Sequence, residues 1–288
     1  MCGIVGFIGR EPAAPIVLEG LSRLEYRGYD STGVAVYDPE KGLQVRKAKG
    51  RLQVLADQLQ GGAALPGTMG MGHTRWATHG VPSDANSHPH VSTNGRFAVI
   101  HNGIVENYME IKEYLVGQGY TFASQTDTEV VAQLLDHLYD GNLLETVGKM
   151  LHRIRGAYAF GIICADEPDK MVGVRKDSPL LLGYGEGFNF FASDVTAFID
   201  RTREVSYLDT NEIAVVTREG IQVYNEYLEP VEKERHHVDW DISAAEKGGY
   251  AHFMLKEIME QPEAVRKTIS PRIRDGKVVL DDLHFEAD

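Results

Sequence analysis

The residue with the most reactive side chain stands second in the chain. In "MCGIVGFIG" a cysteine follows the initiating methionine, so removal of Met1 would leave a thiol and a free α-amine on one residue. An α-amine titrates at about 7.7–8.0 and can accept the thiol proton near neutral pH, which makes nucleophile and base parts of the same residue. The structural alternative for Cys2 is a small apolar residue opening a buried strand. Cys164 lies inside the apolar "FGIICAD" and is expected to be inert core.

Three further stretches hold groups that could serve such a nucleophile. "GHTRWATHG", residues 72–80, carries Arg75, Trp76, Thr78 and His79. It is too polar for a core strand and is expected to be a loop beside a ligand, with the planar Arg75 fork suited to a carboxylate. "HNG", residues 101–103, follows the apolar "RFAVI". Asn-Gly marks a strand-ending turn, and the same geometry offers an Asn102 amide and a Gly103 N–H to a developing oxyanion. "TDTE", residues 126–129, has the form of a capping box. Thr126 would cap a helix, Glu129 would reach back, and Asp127 at the first helical position would sit well for holding an ammonium group. Of the 11 histidines, His73, His79, His88, His90 and His101 crowd together. None pairs at the helical i, i+4 spacing of a zinc protease and no cysteine is near, so no metal site is expected.

Short strand-like runs dominate the chain, among them "CGIVGFIG", "TGVAVYD", "RFAVIHNG", "AYAFGIICAD" and "EIAVVTREG". Helical patterns, "APIVLEGLSRLEYRG", "NYMEIKEYLVGQG", "TEVVAQLLDHLYDG" and "NLLETVGKMLHRIRG", are interspersed without strict alternation. That arrangement predicts an α+β layered sandwich of antiparallel sheets covered by helices. The composition, 43% hydrophobic over 288 residues, is ample for a sizeable core. A formal net charge of −13 leaves no basic surplus, which argues against nucleic acid and anionic membrane as partners. Two distant cysteines make no disulfide framework and point to a reducing, cytoplasmic setting. The apolar run from Ile4 to Ile8 is too short for a membrane span. Beyond Leu228 the texture turns charged and then helical, which predicts a domain over 1–240 and a linker segment over 241–288.

"MCGIVGFIG", "LEYRGYDSTG", "GHTRWATHGVPSDANSHPH", "HNGIVENY", "SQTDTEV", "RGAYAF", "KDSPLLLGYG" and "FFASD" occur in an order that resembles the glutaminase domain of the glutamine-fructose-6-phosphate aminotransferase (glucosamine-6-phosphate synthase) family, which are class II glutamine amidotransferases. The resemblance spans nearly the whole chain. It implies the N-terminal nucleophile hydrolase fold, a four-layer αββα sandwich with two antiparallel sheets, and L-glutamine as substrate. It implies Cys2 as nucleophile, Asn102 and Gly103 as oxyanion hole, Arg75 on the glutamine α-carboxylate and Asp127 on its α-ammonium. Thr78 and His79 fall in the family's glutamine loop, Trp76 matches the residue gating ammonia, and Arg27 is similar to a residue buttressing the cysteine. No cofactor is implied. The partner implied is a sugar isomerase domain, where fructose 6-phosphate would accept the ammonia; that half is expected to lie outside this chain.

Two alternatives stand beside this reading. Another class II amidotransferase, of the phosphoribosyl-pyrophosphate or asparagine-forming type, would share the glutaminase chemistry but lack "LEYRGYDSTG". A non-catalytic glutamine-binding or assembly module would retain Met1, which intact mass distinguishes.

Overall fold

The computed structural model describes residues 2–77, 80–239 and 249–280, with the side chains of Arg27 and Phe253 excepted. The chain forms two compact units, Met1–Asp239 and Trp240–Asp288. In the first, β1 (Gly3–Ile8) leads into α1 (Ala13–Leu24), the hairpin β2 (Ser31–Asp38) and β3 (Gly42–Lys49), the short helix α2 (Leu52–Gln58) and β4 (Met69–Arg75). Then come β5 (His90–Val91), β6 (Phe97–Val105) and three helices, α3 (Tyr108–Gly117), α4 (Glu129–Leu138) and α5 (Leu143–Leu151). The rest is strand: β7 (Gly156–Cys164), β8 (Lys170–Lys176), β9 (Leu181–Tyr184), β10 (Asn189–Ala192), β11 (Glu204–Tyr207), β12 (Glu212–Thr217), β13 (Ile221–Tyr224), β14 (Pro230–Val231) and β15 (His236–His237). The second unit holds α6 (Phe253–Ile269) and a small hairpin of β16 (Ile273–Arg274) and β17 (Lys277–Val278).

The strands of the first unit make an eight-stranded sheet, ordered β15-β11-β9-β10-β1-β4-β2-β3, and a seven-stranded sheet, ordered β14-β13-β12-β8-β7-β6-β5. The ladders within both are antiparallel. Every residue of β1 is buried because its sheet is covered on both faces, by α1 outside and by the second sheet inside. Between the sheets, Ile4, Ile8, Met69 and Met71 meet Ala98, Ile100, Ala159 and Ile163. On the far face of the second sheet, Val99, Val105, Phe160 and Ile162 pack against Val130, Val131, Leu134 and Leu135 of α4 and Val147 and Met150 of α5. The result is four layers, helix, sheet, sheet, helix. The Phe191 ring fills the gap between the sheets where neither Gly6 nor Gly161 has a side chain. A Cβ at Gly6 would stand 2.3 Å from that ring, and one at Gly161 2.7 Å.

Two expectations fail against this fold. The HNG segment does not end a strand: β6 runs through it to Val105, with Asn102 opposite Ala159 and Gly103 opposite Tyr158. Nor is 72–80 a loop throughout, since Gly72 to Arg75 are the buried end of β4. Polar residues are tolerated there because the strand ends at a cavity, where Thr74 Oγ1 accepts the Gly3 N–H, His73 Nε2 meets Asn102 Oδ1 and Arg75 Nη2 donates to the Gly80 carbonyl. Among the described residues, no helix is long and apolar enough to cross a membrane.

Candidate active site

Antiparallel pairing sets Gly3 of β1 against Thr74 of β4, and this brings Cys2 beside the backbone that leaves β4. The Trp76 N–H donates to Cys2 Sγ at 3.1 Å, and the Cys2 thiol faces the Trp76 carbonyl oxygen at 3.6 Å. Burial pushes the Cys2 thiol pKa above its ordinary value; the Trp76 hydrogen bond opposes this, nearby Asp30 adds to it and Arg75 opposes it. The sulfur is therefore protonated at neutral pH, and a reaction at this site needs a base to take the proton.

The two-residue period of a strand sorts the groups around Cys2. On β4, Met71 faces the second sheet, so His73 and Arg75 face it too. On β6, Ala98 and Ile100 point back toward the first sheet, so Asn102 does as well, while His101 turns to the helical side and stacks on Phe160 at 4.6 Å. Asn102 Nδ2 donates to the Cys2 carbonyl oxygen at 3.0 Å, and its Oδ1 lies 2.9 Å from His73 Nε2. Gly103 has φ of 127°, in the region that side-chain-bearing residues avoid. A Cβ there would stand 2.0 Å from the Ala157 carbonyl oxygen, so Gly103→Ala should distort β6 and lower the melting temperature by several degrees, which thermal denaturation checks.

Arg75 is only 4% exposed and donates from Nη2 to the Gly80 carbonyl at 3.1 Å. Asp127 is equally buried; its Oδ2 accepts the Val105 N–H at 2.8 Å and lies 4.0 Å from His101 Nδ1. The expected capping box is absent. Helix α4 begins at Glu129, with Thr128 as a cap that makes no side-chain cap bond, so Asp127 precedes the helix. The Thr126 hydroxyl bonds His90 Nε2 at 2.9 Å and that of Thr128 bonds His101 Nδ1 at 2.8 Å. Glu129 instead accepts the N–H groups of Ala123 and Ser124. Buried histidines compete for the hydroxyls that the local pattern assigns to the helix end.

Cys2, Arg75, Trp76, Asn102, Gly103 and Asp127 line one cavity of about 390 Å³, a size suited to a small metabolite. Trp76 stands half exposed, edge-on to Tyr29 with centroids 5.5 Å apart. Thr78 and His79 lie outside the described residues. Arg27 falls in the 3₁₀ turn Glu25–Arg27 that follows α1, and its side chain is likewise outside them. Two residues the sequence reading passed over are Asp30, whose Oδ2 accepts the Ala77 N–H, and His73, weighed there only as a metal ligand. The alternation from Met71 to Arg75 was the available signal that His73 shares a face with Arg75. Among the described residues no three His, Cys, Asp or Glu side chains gather as a set able to hold a metal ion.

A cysteine at the head of a strand, facing an Asn-Gly pair across two antiparallel sheets between helical layers, is the arrangement of an N-terminal-nucleophile amidotransferase. The glutamine phosphoribosylpyrophosphate amidotransferase of B. subtilis superposes with a TM-score of 0.69 at 26% identity, over 80% of this chain and 50% of that one. Residues 73–200 match the glutamine amidotransferase domain model, and the chain carries a domain of that family. It is 51% identical over 286 residues to the glutamine–fructose-6-phosphate aminotransferase (isomerizing) of Caldanaerobacter subterraneus subsp. tengcongensis, covering 99% of this chain and 47% of that protein. It is 52% identical over 269 residues to the enzyme of the same name from Aquifex aeolicus, covering 93% and 45%. The chain thus spans about half the length of the curated relatives it matches.

Proposed function

We propose that this chain hydrolyses L-glutamine to L-glutamate and ammonia through a thioester on Cys2. The observation that carries the reading is the convergence on one cavity of a thiol, an amide and N–H pair beside it, and two buried, oppositely charged side chains. Arg75 takes the α-carboxylate of glutamine and Asp127 its α-ammonium, which aims the carboxamide at Cys2. With Met1 removed, the Cys2 α-amine takes the thiol proton as sulfur attacks the carboxamide carbon, and Asn102 and Gly103 donate to the oxyanion. Collapse of the adduct breaks the C–N bond, the amine's proton passes to the leaving nitrogen, and ammonia departs. Water then attacks the thioester, releasing glutamate and restoring the thiol. Trp76 at the rim governs passage of ammonia, Arg27 buttresses Cys2, and Thr78 and His79 complete the contacts to glutamine.

The relatives are named for transfer to fructose 6-phosphate; we assign this chain the ammonia-supplying part of that reaction, in amino-sugar synthesis in the cytoplasm, with residues 1–240 as the glutaminase domain and 241–288 leading to a sugar isomerase domain. Protein whose loss of Met1 is confirmed by intact mass should release glutamate and ammonia in equal amounts from glutamine, and no amino sugar when fructose 6-phosphate is added. Absence of glutamate release, or formation of amino sugar, would overturn the assignment.

The charge pairing has its own test. Arg75→Lys keeps the charge but loses the planar fork, and Asp127→Asn keeps an acceptor for the Val105 N–H while losing the charge. Each is expected to raise the glutamine KM about 10- to 100-fold, the worth of a charge-assisted hydrogen bond. An unchanged KM in both would return them to structural roles.

A further inference from the structure

We propose that His73 is a positioning residue for the reaction, holding the Asn102 amide in the one orientation that leaves an N–H of its nitrogen for the oxyanion. The inference rests on the glutamine-hydrolysing reading and adds a residue to it.

The orientation follows from hydrogen-bond chemistry. The Cys2 carbonyl oxygen accepts and cannot donate, so the Asn102 atom 3.0 Å from it must be the amide nitrogen. That leaves Asn102 Oδ1 facing His73 Nε2 at 2.9 Å, and an oxygen there requires the proton on Nε2. His73 is fully buried, and burial lowers its pKa to about 3, so near neutral pH the ring carries a single N–H. The contact with Asn102 assigns that hydrogen to Nε2. Rotating the amide by half a turn would set oxygen against oxygen at Cys2 and nitrogen against N–H at His73.

The His73 ring is itself held. His88 stacks on it with centroids 4.3 Å apart and planes 30° from parallel, and His88 Nδ1 accepts the His101 backbone N–H at 3.2 Å. Both ends of this arrangement end on β6, one at the Asn102 side chain and one at the backbone of the preceding residue. Of the two protons on Asn102 Nδ2, one is spent on the Cys2 carbonyl, which fixes the plane of the amide; the other remains for the reacting oxygen.

The test compares two variants with wild-type protein lacking Met1. His73→Leu removes the donor, and His73→Gln replaces it with an amide N–H at a similar reach. His73→Leu should lower kcat for glutamine about 10- to 100-fold, the scale of a misplaced catalytic group, with KM changed less than about twofold. His73→Gln should recover most of that loss. A kcat near wild type in His73→Leu would overturn the proposal, as would equal losses in both variants. Nitrogen-15 NMR of histidine-labelled wild-type protein near pH 7.5 gives a readout independent of activity: His73 should be the Nε2–H tautomer, and an Nδ1–H tautomer would overturn the geometry. If processed wild-type protein failed to split glutamine, the reading of function would fall, while the tautomer would still report on the contact itself.

Discussion

Replacing Cys2 with alanine should reduce glutamine hydrolysis about 10⁴-fold or more, the scale seen when a covalent nucleophile is deleted. The fold should survive, because Cys2 precedes β1 and contributes no pairing to it. Cys2→Ser is the companion variant. Its hydroxyl can still accept the Trp76 N–H that Sγ accepts, yet an alcohol is far harder to deprotonate than a thiol, so hydrolysis should stay very low. Chemical labelling separates the nucleophile from the second cysteine. Because burial raises the Cys2 pKa, iodoacetamide should react slowly at pH 7 and faster as pH rises. The glutamine-shaped alkylator 6-diazo-5-oxo-norleucine should label Cys2 readily at pH 7, since a bound analogue sets its carbon beside the sulfur. Cys164 is fully buried and should stay unmodified. Peptide mapping that placed the adduct on Cys164, or a Cys2→Ala protein keeping more than about a hundredth of wild-type turnover, would move the chemistry elsewhere.

The next largest effect is expected at Asn102. Asn102→Ala should cost about 2.7–4 kcal/mol of transition-state stabilisation, a fall of about 10²–10³ in kcat, the measured scale for one oxyanion donor. The glutamine KM should change little, because the carboxamide oxygen gains most of its charge only as sulfur adds. The substitution also strips His73 Nε2 of its acceptor and the Cys2 carbonyl of its donor. A stability loss of about 1–3 kcal/mol should accompany it, visible as a lower denaturant midpoint. Kinetics and denaturation together separate the two roles: near-normal kcat in a destabilised protein would show that Asn102 only braces the strands and that the oxyanion is held by other donors.

How much of this was legible along the chain depends on how far apart the interacting groups lie. Short continuous apolar runs marked β1, β6 and β7, because a strand covered on both faces is apolar along most of its length, and three- and four-residue spacing marked α1, α3, α4 and α5, because it records which helix face meets the core. The short helix α2 and the strand β4 were not marked. In β4 the alternating glycines of "MGMGHTR" hide the apolar period, and the polar end reads as loop. Thr126 and Glu129 have the spacing of a capping box but take other partners, since a hydroxyl beside a buried imidazole serves that ring first.

Cys2 was conspicuous because its chemistry follows from its place next to Met1, and the charged pair Arg75 and Asp127 could be proposed from residue type and motif order. The contacts between them belong to the fold. Trp76 meets Cys2 across 74 positions, Asn102 meets it across 100 and His73 meets Asn102 across 29. No periodicity encodes such pairings. They arise from the antiparallel register of β1 on β4 and from the face that β6 turns toward the first sheet, where burial in one shared cavity leaves each polar atom few partners other than these. The reactive residue types and their order are properties of the chain; the orientation of one amide, and the histidine that holds it, exist only once the two sheets are packed face to face.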